Sequence, residues 1–228
     1  GGVYISPNTT ATMYGNRINS NRASATTDDA MGGGVYVPAN ATWYIPTTTN
    51  VHTFYLNTLN SNSAISESGN AYGGGLYLEG TVNNLFGGIF NALQLNSNKV
   101  VSTSGNAFGG GIYNISNLQS LSSLGVYHLY TSVSMIGNYA QSTNGLAAGG
   151  AIYNKSVGTG TGYIGFINGS ASDSYALSSN NSAMGGAIYN EAGATIDGVR
   201  VRLNNNYASG KSASGAASMG GGIYNAGI

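Results

Sequence analysis

A short glycine motif recurs along the whole chain and constrains its fold more than any other feature. Small residues, mostly glycine, precede an aliphatic residue and a tyrosine, and the tyrosines are Tyr4, Tyr36, Tyr77, Tyr113, Tyr153, Tyr189 and Tyr224. Their mean spacing is about 37 residues, which is a period typical of stacked repeat proteins. The motif therefore predicts one domain of six tandem repeats that spans residues 1–228.

A second motif lies between successive copies of the first. It is an asparagine two residues before a small or apolar residue, and its copies end at Ala23, Ala64, Val100, Ala140, Ala183 and Ala208. In four repeats this asparagine lies ten residues before the residue that precedes the glycines, and in the last two the distance is three and thirteen. If each motif forms one coil of roughly 18 residues, the chain forms about 12 coils, two per repeat.

The composition favours strands over helices. Glycine accounts for 37 residues and proline for only 3, and short alternating segments such as GVYHLY occur between turns rich in Asn, Ser and Thr. Such segments are typical of β-strands. We predict an all-β, right-handed parallel β-helix (β-solenoid), with the handedness taken from the general rule for parallel crossovers.

Alternation along the strand separates an inner from an outer face. The residue before each tyrosine is aliphatic and should point inward, so the residue after the tyrosine should point inward too. In the later repeats that residue is asparagine, which predicts a ladder of stacked carboxamides at Asn114, Asn154, Asn190 and Asn225. The glycines are expected at a corner with positive φ. The tyrosines should point outward, as a candidate binding column of Tyr36, Tyr77, Tyr113, Tyr153, Tyr189 and Tyr224.

The repeats resemble those of a known family. The segment GGAIYN follows LSSNNSA, and MGGGIYN follows ATIDGVRVRLNNNYAS. These pairs are similar to the repeats of polymorphic outer-membrane proteins, which are built from GGA(I/L/V) and FxxN motifs. The phenylalanine of FxxN is replaced by Leu59, Leu95, Met135 and Leu203, and the chain has no cysteine. The resemblance implies a right-handed parallel β-helix displayed outside the cell as an autotransporter-like passenger, often with an adhesive role.

Charged residues are scarce, and this affects which binding partners we expect. Only 6% of the residues are charged and the net charge is zero, so we expect no nucleic acid partner. A surface with little charge repulsion favours self-association. No apolar segment is long enough for a transmembrane helix.

Candidate catalytic and metal-binding groups are scattered. The acidic residues Asp28 and Asp29 are adjacent, but neighbours on a strand point to opposite faces. Lys155 and Glu191 occupy the same phase of successive repeats, and two coils per repeat would separate them by about 10 Å. His52 and His128 have no partner at metal-ligand spacing. We therefore expect no metal, no cofactor and no enzymatic activity.

The sequence thus predicts an extracellular structural or adhesive β-solenoid, either a passenger on a cell surface or a filament subunit. Residues 1–4 and 221–224 have the same phase and no recognisable cap, so either flanking sequence is missing or copies stack end to end. The expected partner is another copy, or a cell-surface glycan or protein. Two alternatives stay open: a carbohydrate-active β-helix enzyme, and an ice- or surface-binding protein suggested by threonine runs such as Thr47–Thr49.

Overall fold

The computed structural model is a β-solenoid of stacked parallel strands. It describes residues 1–13, 15–44, 55–83, 91–118, 133–156, 162–167, 169–199, 201–211, 215 and 217–228. No helix occurs in these ranges, so none of the residues described forms a helix that could span a membrane. The prediction of an all-β parallel solenoid is confirmed.

The four middle coils each pass through five short strands in the same order, from sheet A through sheet B or sheet F to sheets C, D and E. Among the described residues of the first and last coils, Arg17 and Arg202 form isolated bridges where the others have a strand of sheet C.

The strands of sheet A are Val3–Tyr4, Val35–Val37, Leu76–Leu78, Ile112–Asn114, Ile152–Asn154, Ile188–Asn190 and Ile223–Asn225. Those of sheet B are Thr10–Thr12, Thr42–Tyr44 and Thr81–Asn83. Those of sheet F are Asn117–Leu118, Tyr163–Ile167 and Thr195–Val199. Those of sheet C are Tyr55–Thr58, Asn91–Gln94, Val133–Ile136 and Gly169–Ser172.

The strands of sheet D are Arg22–Ala25, Ser63–Ser66, Lys99–Ser102, Tyr139–Ser142, Tyr175–Ser178 and Tyr207–Gly210. Those of sheet E are Ala30–Met31, Ala71–Tyr72, Ala107–Phe108, Ala147–Ala148, Ala183–Met184 and Ser218–Met219.

The strand register corrects the predicted number of coils. Tyr36 pairs with Tyr77, and Tyr77 pairs with Tyr113, so strands that neighbour each other in sheet A are one whole repeat apart. Each repeat is therefore one coil, and the solenoid has about half of the 12 coils predicted. The two sequence motifs are two sides of the same coil: the asparagine motif leads into sheet D and the glycine motif leads into sheet A.

Two apolar layers fill the coil. The larger one contains the aliphatic column of sheet A together with inward residues in or directly after the strands of sheet C, such as Leu59, Leu95 and Met135, all fully buried. The thinner one lies between sheets D and E and consists almost entirely of alanine, including Ala64, Ala107 and Ala140. Small side chains let these two sheets approach closely and stack with the same alanine contacts in coil after coil.

Two corners of each coil require a left-handed backbone. The first glycine of every complete motif has φ between +57° and +67°: Gly32, Gly73, Gly109, Gly149, Gly185 and Gly220. A Cβ on Gly73 would lie 2.4 Å from the Leu76 carbonyl oxygen, which explains the glycine, as predicted. The second corner, between sheets C and D, has φ between +53° and +68° and uses other residues in five of six coils: Ser20, Ser61, Ser97, Gly137, Asp173 and Asn205.

Candidate functional site

The tyrosines of sheet A form a continuous ring column along the solenoid. Successive ring centroids lie 4.7–5.4 Å apart from Tyr4 to Tyr224. From Tyr77 onward the ring planes are within 8–17° of parallel. The parallel register sets this spacing, because each tyrosine pairs directly with the tyrosine of the next coil. The faces of the inner rings are therefore occupied by neighbouring rings.

The middle of this column is not an exposed surface. Tyr77, Tyr113 and Tyr153 are only 5–6% exposed, although they point away from the aliphatic core. Residues at the ends of the sheet E strands cover them: the Tyr72 ring lies 4.8 Å from Tyr113, and the Phe108 ring lies 4.5 Å from Tyr153. The outward direction was predicted correctly, but the expectation of an open aromatic stripe is wrong for these three residues.

A carboxylate lies at the hydroxyl end of the column near its start. The Tyr77 hydroxyl donates to Glu79 Oε1 at 2.8 Å, and the Tyr36 hydroxyl reaches Glu79 Oε2 at 3.4 Å. Burial, followed by the charge and the hydrogen bond of Glu79, raises the pKa of Tyr36 to about 12. Burial likewise raises the pKa of Tyr77, Tyr113 and Tyr153. These four tyrosines consequently stay neutral well above physiological pH.

A second carboxylate, Glu191, lies further along the same column. Its Oε2 is buried and has no hydrogen-bond partner. Burial raises the pKa of the Glu191 carboxyl, and the charge of Lys155 partly offsets this by lowering it. Tyr153 pairs with Tyr189 of the next coil. Lys155 and Glu191 each lie two residues after these tyrosines, so they occupy adjacent rungs and the predicted separation of about 10 Å is wrong.

The asparagines that follow the later tyrosines form a buried ladder. Asn114 Nδ2 donates to Asn154 Oδ1 at 2.8 Å, Asn154 Nδ2 to Asn190 Oδ1 at 2.8 Å, and Asn190 Nδ2 to Asn225 Oδ1 at 2.7 Å. Asn154 Nδ2 also donates to the Gly162 carbonyl at 2.6 Å. The ladder thus links the coils and also ties sheet A to the backbone that enters sheet F.

A second asparagine ladder was not predicted, although its motif was noticed. Asn62 Nδ2 donates to Asn98 Oδ1 at 3.1 Å, and Asn98 Nδ2 donates to Asn138 Oδ1 at 3.2 Å. All three residues are fully buried. This ladder fixes the corner between sheets C and D.

The second ladder is interrupted in the fifth repeat. Tyr139 pairs with Tyr175, which places Ser174, rather than an asparagine, next to Asn138. Asn138 Nδ2 is left buried without a partner. The motif that ends at Ala183 predicts the fifth ladder position at Asn181, which is seven residues too late. With Ser174 in that position, the distance to Met184 is the usual ten residues.

Serine hydroxyls at the turn after sheet D form the same hydrogen bond in successive coils. Ser102 Oγ donates to the Gly69 carbonyl, Ser142 Oγ to the Gly105 carbonyl and Ser178 Oγ to the Gly145 carbonyl, each at 2.7 Å. Each bond joins one coil to the preceding one. The polar residues that recur in every repeat therefore hold the stack together.

The acidic residues whose side chains the structure describes do not converge on a site. Asp29 Oδ1 accepts from the Asn70 backbone N–H at 2.7 Å, and Asp173 Oδ1 accepts from Asn205 Nδ2 at 3.1 Å. Within the described ranges no three His, Cys, Asp or Glu side chains are grouped so that they could hold a metal ion. His52, His128 and Thr47–Thr49 lie outside the described residues.

A second tyrosine column lies on the outer face of sheet D and was also missed. The Tyr139 and Tyr175 centroids are 4.8 Å apart with planes at 6°, and the Tyr175 and Tyr207 centroids are 5.1 Å apart with planes at 14°. Its sequence signal is a tyrosine before alanine directly after the ladder position: NYA, SYA and NYA. We call Tyr139, Tyr175 and Tyr207 the outer tyrosine column.

No protein family model matches the chain. No curated protein and no solved structure matches it either. The geometry alone therefore indicates what the arrangement can do. It offers stacked rings and amides hydrogen-bonded from coil to coil, and Asp29, Glu79 and Asp173 accept hydrogen bonds within or between coils.

Proposed function

We propose that the chain is a non-catalytic structural rod, displayed outside the cell, that self-associates or adheres to a cell-surface glycan or protein. One observation carries the proposal: the aromatic and polar side chains that recur in each coil are used by the next coil. The recurring side chains contact the next coil, and no acid and base pair converges among the described residues.

The roles of the repeat motifs support the proposed family resemblance. In the FxxN-like segments the first residue, such as Leu59 or Leu95, is buried in the core, and the asparagine three residues later, such as Asn62 or Asn98, lies in the second ladder. Large aliphatic residues and methionine fill the same inward position as phenylalanine would. We therefore propose a polymorphic outer-membrane protein type of repeat, a right-handed coil and a passenger-like location.

The regular repeat supports self-association, the first of the two proposed roles. Every coil offers the next one a tyrosine ring in the same register, so a second copy could continue the stack. Asn225 accepts from Asn190 Nδ2, and in an end-to-end stack it would lie against Ile5 of the second copy, which has the same position after its tyrosine. The scarcity of charge removes a barrier to such contacts.

Negative-stain electron microscopy and sedimentation of the purified chain test this form. We expect thin unbranched fibres that lengthen with concentration. The variant Asn225→Asp keeps the acceptor for Asn190 but replaces the donor by a charge, and it should abolish fibres while leaving the circular dichroism spectrum unchanged. The control Asn144→Asp adds the same charge at an exposed turn and keeps the acceptor for Asn180 Nδ2, so its fibres should persist.

Adhesion is tested on the same samples by binding to glycan arrays and to cell surfaces. Short monodisperse rods that bind a surface ligand would support adhesion without assembly. Monodisperse rods that bind nothing, or a polysaccharide-cleaving activity of the purified chain, would overturn the proposed function.

A further inference from the structure

The outer tyrosine column combines close stacking with access to solvent. Its rings are nearly parallel and 4.8–5.1 Å apart. Tyr207 is 47% exposed, and Tyr139 and Tyr175 are half-buried. Parallel register holds equivalent atoms of neighbouring rings above one another, since Tyr139 pairs with Tyr175 and Tyr175 pairs with Tyr207.

The middle of the inner column, the tyrosine column of sheet A, lacks this combination. Tyr113 and Tyr153 stack at 5.3 Å, but both are 5% exposed and lie under Tyr72 and Phe108. An oxidant cannot reach these rings, and their neighbours prevent the movement that a new bond between rings would need. The outer column and the middle of the inner column therefore differ in accessibility, although their rings stack at similar distances.

We propose that the outer tyrosine column is a site of oxidative cross-linking, in which peroxide with a peroxidase joins Tyr175 to Tyr207 as dityrosine. Each of the two phenols loses one electron and one proton. The two radicals couple through the ring carbons next to the hydroxyls, and the hydrogens on these carbons return to the oxygens. One hydrogen peroxide takes up the two electrons and two protons that were lost and yields two waters.

The product would join adjacent coils by a covalent bond. Tyr175 and Tyr207 are 32 residues apart in the chain but neighbours in the stack. A bond between them closes a loop across one coil and restricts the unfolded chain, as a disulfide does. The chain has no cysteine, so oxidation of tyrosine would supply a cross-link that disulfides cannot. This inference does not depend on self-association, because the bond forms within one molecule.

Peptide mapping after oxidation tests the inference. The folded chain is treated with horseradish peroxidase and hydrogen peroxide, the monomer band is cut from a denaturing gel, and the unfolded product is digested with trypsin. Cleavage after Lys155, Arg200, Arg202 and Lys211 yields the peptides 156–200 and 203–211, and the second contains Tyr207 as its one tyrosine. We expect these two peptides to be joined, with the loss of two hydrogens and with dityrosine fluorescence.

Two matched variants locate the bond. Peptide 156–200 also contains Tyr189 of the inner column. Tyr175→Phe should abolish the joined peptide, and Tyr189→Phe should leave it unchanged, since both variants retain a ring for stacking. A joined peptide that persists in Tyr175→Phe, its loss in Tyr189→Phe, or unmodified peptide 203–211 in the oxidised native chain would overturn the proposal.

Discussion

The substitution Ser174→Asn should stabilise the protein because it repairs the interrupted second ladder. Asn138 Nδ2 is buried with no acceptor, and a buried donor without a partner costs about 1–3 kcal/mol. The Oδ1 atom of the new asparagine would accept from Asn138 Nδ2. Its Nδ2 atom would face Asn206 Oδ1, which accepts from the Ser174 backbone N–H at 2.9 Å.

The gain is reduced by what the serine contributes now. Its hydroxyl donates to the Ser172 carbonyl at 3.1 Å, and losing such a bond costs about 0.5–1.5 kcal/mol. The larger side chain must also fit a position that is fully buried. We expect a net increase of about 1 kcal/mol in the free energy of unfolding.

Urea unfolding followed by circular dichroism measures this difference. Ser174→Ala serves as the matched control, because it removes the hydroxyl without supplying a carboxamide, and it should be less stable than the parent chain by about 1 kcal/mol. If Ser174→Asn is no more stable than Ser174→Ala, the orphaned amide of Asn138 is not a defect of the ladder and the reasoning fails.

Three further predictions follow from the corners and the tyrosine column. Gly73→Ala should destabilise the fold by about 1–2 kcal/mol in urea unfolding, because φ is +57° there; Gly222→Ala should cost clearly less, since a Cβ there meets no atom within 4 Å and Ala187 occupies the same position one coil earlier, and equal losses would contradict the corner argument. Glu191→Gln should raise the melting temperature at pH 7, because the carboxyl has a raised pKa and a buried oxygen without a partner; the advantage should disappear at low pH, where the carboxyl is protonated in both states. Stability should fall between pH about 10 and 12, because unfolded tyrosines ionise near pH 10 while the pKa of Tyr36 is raised to about 12; the phenolate absorbance of all 17 tyrosines before any loss of structure would contradict this.

The sequence predicted the features that depend on contacts along one strand or between equivalent residues. Alternation around each tyrosine placed Val35, Leu76 and Ile112 inside and the tyrosines on the opposite face. The same alternation predicted the ladder from Asn114 to Asn225. These predictions succeed because an identical residue recurs at the same phase, so a parallel stack must bring the copies together.

The number of coils could not be read from two alternating motifs. Two motifs per repeat fit two short coils or two sides of one long coil, and only the pairing of Tyr36 with Tyr77 distinguishes these. One clue was available: the constant ten residues from Asn62 to Tyr72 and from Asn98 to Phe108 fit two positions on one rigid coil.

The burial of Tyr113 and Tyr153 depends on residues of sheet E, so alternation along the strands of sheet A could not predict it. The residues that cover Tyr113 and Tyr153 come from the ends of sheet E strands, where Tyr72 and Phe108 directly precede the glycines. Their bulk was visible in the sequence. Their position over the ring column follows from the left-handed glycine corner, which turns the chain between the two sheets.

A disulfide engineered between adjacent coils tests the central claim of one coil per repeat most directly. Val101 and Gln141 pair across sheet D and both point outward, so their Cα atoms should be separated by one rung of about 4.8 Å. This lies within the range of about 4.4–6.8 Å that a disulfide requires. Two coils per repeat would separate the same residues by about 9.6 Å.

The chain has no native cysteine, so oxidation can be measured by counting free thiols and by mobility on a non-reducing gel. We predict that Val101→Cys with Gln141→Cys forms a disulfide within the monomer. Val101→Cys with Leu177→Cys, two rungs apart, should keep both thiols free. Free thiols in the first pair, or equally rapid oxidation of both pairs, would contradict the one-coil repeat.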